Sequence, residues 1–126
     1  MNPPAQSPAD RGARRAREYL QLLEDGRTDA AEELLASLSD PRELVFLGAG
    51  LTVPARRIGR TLPTAMRAQS STRQVLLGQL RDANRWDVEG LRTWLRKAAE
   101  ELQMVARLAE PDPAARRRLL ELPSAG

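Results

Sequence analysis

Apolar residues recur along this chain at steps of three and four, the spacing of helices that bury one face. The clearest run extends from Val88 to Ala109. Written as heptads, Val88, Leu91, Leu95, Ala98, Leu102, Val105 and Ala109 fill the a and d positions, and Trp94, Ala99, Ala106 and Leu108 lie beside them at e and g. Glu89, Arg96, Glu100, Gln103 and Arg107 take the far side. The stripe is wider than a two-stranded seam needs, so it predicts a central helix wedged among neighbours. The competing use is a homo-oligomer interface over Trp86, Leu91, Trp94, Leu95 and Leu102. Asp87 caps the start, and Glu110-Pro111-Asp112-Pro113 ends the run before a short basic helix over 113–122.

Upstream, Ala13, Ala16, Leu20 and Leu23 predict a helix over 10–24, and Gly26 stands where a left-handed cap is wanted. A second helix follows from Thr28 through Ala31, Leu34, Leu35 and Leu38, giving an N-terminal αα-hairpin. The pair resembles one tetratricopeptide unit, but no second copy appears at a matching period. Asp40-Pro41-Arg42-Glu43 is a start signal: a cap, a proline suited to the first turn and a reciprocal carboxylate. The helix it opens carries Leu44, Val45, Phe46 and Leu47 and weakens at Gly48 and Gly50. Pro54 and Pro63 punctuate 51–70, predicting short helices over 55–62 and 64–68. Ser71-Thr72-Arg73-Gln74 reads as a second capping box, opening a helix toward Asn84 with Val75, Leu76, Leu80 and Ala83 on one side. The expectation is an all-α compact bundle of five to seven helices. Residues 1–9 form a disordered tail, 10–122 one domain and 123–126 a C-terminal tail.

Composition agrees with helices. Apolar residues are 41% of 126, mostly Leu, Ala and Val, with a single Ile and 3% aromatics. Cys and His are both absent, which removes disulfides, thiolate nucleophiles, imidazole bases and the commonest metal ligands. No cofactor and no metal is therefore expected. The carboxylate pairs Glu24–Asp25, Glu32–Glu33 and Glu100–Glu101 point about 100° apart on a helix and form no converging dyad. The Ser70, Ser71 and Thr72 hydroxyls have no candidate base near in sequence. No secretory apolar region follows Met1, and the longest apolar stretch, 44–53, is about half a membrane span. A cytoplasmic protein with no membrane contact is expected.

Charge changes the picture most. The segment 44–81 holds Arg56, Arg57, Arg60, Arg67, Arg73 and Arg81 and no acid, whereas 1–43 carries nine acids against six Arg. Such segregation favours an anionic partner: phosphates, an acidic protein surface, or the acidic hairpin of this chain or a second copy. Two local resemblances fall in the same stretch. Ala49-Gly50-Leu51-Thr52 followed by Ala55-Arg56-Arg57-Ile58 resembles a helix-turn-helix, which implies that those Arg enter a major groove. Leu44 to Thr52 resembles the first strand and glycine loop of sirtuin-like nucleotide-binding domains. That second resemblance lacks the third glycine and any partner strand, and the helical reading is kept.

The sequence thus points to a non-enzymatic helical interaction or regulatory module, self-associating, that uses 44–81 to bind an acidic partner. The alternative is a DNA-binding transcriptional regulator with a helix-turn-helix-like element around 44–62.

Overall fold

The computed structural model describes residues 7–123 and is helical throughout, with loops between. Six helices follow in order: α1 Pro8–Glu24, α2 Thr28–Ala36, α3 Pro41–Gly59, α4 Thr64–Ala83, α5 Val88–Ala109 and α6 Pro113–Leu119. The all-α bundle is as expected. Residues 1–6 and 124–126, assigned to tails, lie outside the described residues. Residues 7–9, also assigned to the N-terminal tail, instead begin α1: the Asp10 N–H donates to Ser7 Oγ at 3.1 Å, and Pro8 occupies the first turn.

Local signals explain several boundaries. Gly26 has φ +73°. The Gly26 N–H donates to the Leu23 carbonyl and the Arg27 N–H to that of Leu22, the paired bonds of a Schellman cap closing α1. Asp40 Oδ1 accepts from the Arg42 N–H at 2.9 Å with Pro41 in the first turn of α3. The end of α2 is held from a distance. The Arg92 guanidinium on α5 donates to the carbonyls of Leu35 (3.1 Å) and Ala36 (3.3 Å) in the last turn of α2 and of Leu38 (2.9 Å) just beyond it, where acceptor capacity is left over as the helix ends.

The core is made mainly by α1, α3 and α5. Leu44, Leu47, Leu51 and Ala55 from α3 meet Leu91, Trp94, Leu95, Leu102 and Val105 from α5, and Tyr19 and Leu20 close the α1 side. Leu91, Trp94, Leu95 and Leu102 are 0–2% exposed, so the oligomer interface assigned to them is corrected: the chain's own core consumes these side chains. Trp86 alone of that set stands on the surface, at 77% exposure. The width of the α5 stripe has a direct cause, since α5 packs against α3, α4 and α6.

The middle of the chain departs from expectation. Residues 41–59 form one helix through Gly48, Gly50 and Pro54, and 64–83 form another through Ser71–Gln74. The glycines mark close approach instead of a turn. A Cβ on Gly48 would overlap the benzo ring of Trp94, and one on Gly50 would stand 2.6 Å from Ala16 Cβ. On the facing helix, a Cβ on Gly12 would stand 2.5 Å from the Phe46 carbonyl. Two backbones can cross at that distance only without side chains. Pro54 is tolerated because Leu51, Ala55 and Ile58 around it are buried, and tertiary packing overrides local propensity. The turn needed for a helix-turn-helix over 44–62, and the strand needed for a nucleotide-binding loop, are both absent there. On α4 the predicted apolar side is also corrected: Val75 and Leu76 are more than half exposed, while Ser70, Gln74 and Leu77 are the buried positions.

Candidate anion-binding site

The structure divides the six arginines of the acid-free segment. Arg73 turns toward α5, where its Nε lies 2.5 Å from Glu101 Oε2; Ser70 Oγ donates to the other carboxylate oxygen at 3.2 Å. Glu101 is only 4% exposed, so this pair neutralises a buried charge. Arg81 pairs with its neighbour Asp82 at 3.0 Å. Arg57 borders a mostly apolar groove with Ala13, Arg17, Val53 and Leu120. The remaining three, Arg56, Arg60 and Arg67, line one cleft.

Helix geometry brings those three together. Arg56 in the last turn of α3 and Arg60, its C-cap with helical backbone angles, are four residues apart, hence on one face at the end of the helix. Across the bend, Arg67, Ser71, Gln74 and Gly78 are spaced 4, 3 and 4 along α4, and all line the same cleft. Gly59 lets the helices close at its floor, because a Cβ there would stand 2.7 Å from Ser70 Oγ. The cleft encloses about 440 Å³, and no Asp or Glu lines it. None of Arg56, Arg57, Arg60 or Arg67 has an ion-pair partner among the described residues. Gln74 is 8% exposed, and neither its amide nitrogen nor its amide oxygen has a hydrogen-bond partner. A buried primary amide in that condition is costly to the fold alone.

Several acids of the N-terminal third are paired elsewhere. Glu32 takes a two-pronged contact from Arg96 (2.8–3.1 Å), Asp25 pairs with Arg117 of α6, and Glu43 lies 3.7 Å from Arg15. The Gln21 amide and Arg117 hold the Asp25 carboxyl below its ordinary range, and the Glu32 contact raises the Arg96 guanidinium further. Among the described residues no ion pair joins 44–81 to the hairpin, so intramolecular pairing does not absorb the cleft's charge.

The arginines of this cleft stand out in the sequence, whereas nothing local there marks Gly59, Ser71, Gln74 and Gly78 as their neighbours. The 67/71/74/78 spacing was the available signal, and it becomes legible only once α4 is known to begin at Thr64. Trp86 borders a separate hollow beside Pro41, Val45, Phe46 and Arg81, with the Arg85 guanidinium 5.7 Å from its ring centroid. Among the described residues no three His, Cys, Asp or Glu cluster as metal ligands would, and no helix is long and apolar enough to cross a membrane. No protein-family model, curated protein or solved structure matches this chain.

Proposed function

We propose that this chain is a cytoplasmic, non-enzymatic interaction module that docks an acidic segment of a protein partner onto the α3–α4 elbow. One observation carries the reading: Arg56, Arg60 and Arg67 converge on a single cleft that no carboxylate lines. Charges arranged this way repel one another in the isolated protein and gain when an anion enters. Guanidinium groups suit the task because their planar fork engages carboxylates with two parallel hydrogen bonds. The rigid α3 and α4 backbones fix where those forks begin.

A fluorescently labelled polyglutamate peptide tests this by anisotropy. Binding to the wild type should fall steadily as salt rises. The triple variant Arg56→Ala/Arg60→Ala/Arg67→Ala should bind at least roughly tenfold more weakly at low salt. Arg14→Ala/Arg107→Ala/Arg118→Ala removes the same charge from exposed positions elsewhere and should change affinity less than about threefold. Equal losses in the two triples would mean that binding follows net charge alone, and the proposal would fail. A parallel arm uses a duplex of roughly 20 base pairs. Tighter binding of that duplex than of polyglutamate, through the same three arginines, would replace the acidic protein partner with DNA.

A further inference from the structure

Donor inventory narrows the ligand beyond a generic acidic segment, and the narrowing rests on the elbow being a docking surface. A carboxylate carries one charge, which one guanidinium balances through its planar fork. The elbow cleft is lined by three arginines, Ser71 and Gln74, whose amide lies buried just beneath the surface, and no acid is among its lining residues. That set exceeds what one carboxylate can accept. It matches a phosphate monoester, which brings about two negative charges and three strong acceptor oxygens.

Gln74 is the second, independent mark. Its amide is buried and without a partner on either atom, whereas the hydroxyl one turn before it, Ser70, is committed to Glu101. Gly78 is the third. It sits inside α4 where alanine would be the better helix former, yet a Cβ there would meet only Arg81 Nη2, at 3.9 Å. Nothing in the fold requires a glycine at that position. Its effect is to leave the cleft wall bare beside Gln74 and Val75.

We infer that the cleft formed by Arg56, Arg60, Arg67, Ser71, Gln74 and Gly78 is a binding site for a phosphorylated side chain carried by the acidic partner. The arginines supply charge, a rotation of the Gln74 side chain out of its buried position brings its amide N–H to a phosphoryl oxygen, and Gly78 leaves room for the group to approach the α4 backbone.

Isothermal titration at low salt tests this with one short acidic peptide in phosphoserine and serine forms, and with inorganic phosphate. The wild type should bind the phosphoserine form roughly tenfold or more tightly than the serine form. It should also prefer the phosphopeptide to inorganic phosphate, because the flanking acids remain engaged. Gln74→Met keeps the side chain's length without its amide, and Gly78→Leu fills the wall with a good helix former. Each should reduce the phospho-to-serine ratio several-fold, because the phosphoserine form loses more affinity than the serine form. Circular dichroism should give wild-type helical spectra for both variants, which separates loss of binding from loss of fold. A wild-type ratio near one, with the serine peptide still dependent on the three arginines, would overturn the phosphoryl assignment and leave the docking reading standing. Inorganic phosphate binding as tightly as the phosphopeptide would overturn the assignment to a partner's side chain. Failure of both peptides to bind would overturn both readings.

Discussion

Alanine at Gly48 and alanine at Gly78 are the same chemical change in two helix interiors, and the structure gives them opposite signs. Intrinsic propensity favours each by about 1 kcal/mol. At Gly78 little opposes that gain, since the added methyl meets only the far end of the Arg81 side chain at 3.9 Å. Gly78→Ala should therefore stabilise the fold by up to about 1 kcal/mol, or about 4 °C in Tm. At Gly48 the methyl would fall on the ring of Trp94, which is 1% exposed and enclosed by the α3–α5 core. An indole held on all sides cannot rotate away, so α3 and α5 must separate. Overpacking of this kind costs about 1–3 kcal/mol, and the severity of the overlap places it at the upper end. After subtraction of the propensity gain, Gly48→Ala should lose about 2 kcal/mol. Urea unfolding read by both tryptophan fluorescence and far-ultraviolet circular dichroism separates the two, with an unchanged m-value expected for each. A Gly48→Ala variant as stable as the wild type would refute the close crossing and restore a turn at this position as the reason for the glycine.

Other consequences follow from single groups. Arg92→Ala removes donors from three carbonyls at the end of α2 and should destabilise the fold by about 1–2 kcal/mol in urea unfolding; Arg92→Lys, lacking the planar fork, should recover only part of that. Glu121 adopts φ +58° in the turn closing α6, a conformation that disfavours a Cβ, so Glu121→Gly should raise stability by about 1 kcal/mol. Burial, then the Glu32 carboxylate, push the Tyr19 hydroxyl up from 10.0 to about 12. The unfolded chain therefore ionises first: Tyr19's contribution is intact below pH 10 and is lost as pH rises toward 12, by at most about 1.4 kcal/mol per unit. Tyr19→Phe should remove that alkaline slope in urea titrations; an unchanged slope would assign it to other groups.

Features with local causes were legible in the sequence. The Val88–Ala109 helix follows from its own spacing, and Asp40-Pro41 and Gly26 act within four residues of themselves. Gly48 and Gly50 were not, because a glycine in an apolar run signals either a turn or a close neighbour. The neighbours, Trp94 and Ala16, lie 46 and 34 residues away respectively. A different ambiguity hid half the site. Arg56 and Arg60 already share a face of the short helix expected over 55–62, but Arg67, Ser71, Gln74 and Gly78 line up only if α4 starts before Ser71 and the capping-box pattern there is passed over. The sorting of Arg73 from Arg67 depends on Glu101, which the sequence places 28 residues beyond Arg73. Charge segregation could be counted along the chain, but which charges are already satisfied is a property of the folded surface.

Docking of acidic partners at the α3–α4 elbow, and nowhere else with equal strength, is open to a direct test. Nuclear magnetic resonance of the uniformly nitrogen-15-labelled protein, titrated with polyglutamate, locates the contact directly. The largest shifts should fall on backbone amides of residues 56–60 and 67–78, and the Gln74 side-chain amide should move with them. Shifts concentrated on the arginines of α1 or α6, or scattered evenly over all basic positions while Gln74 stays still, would contradict it.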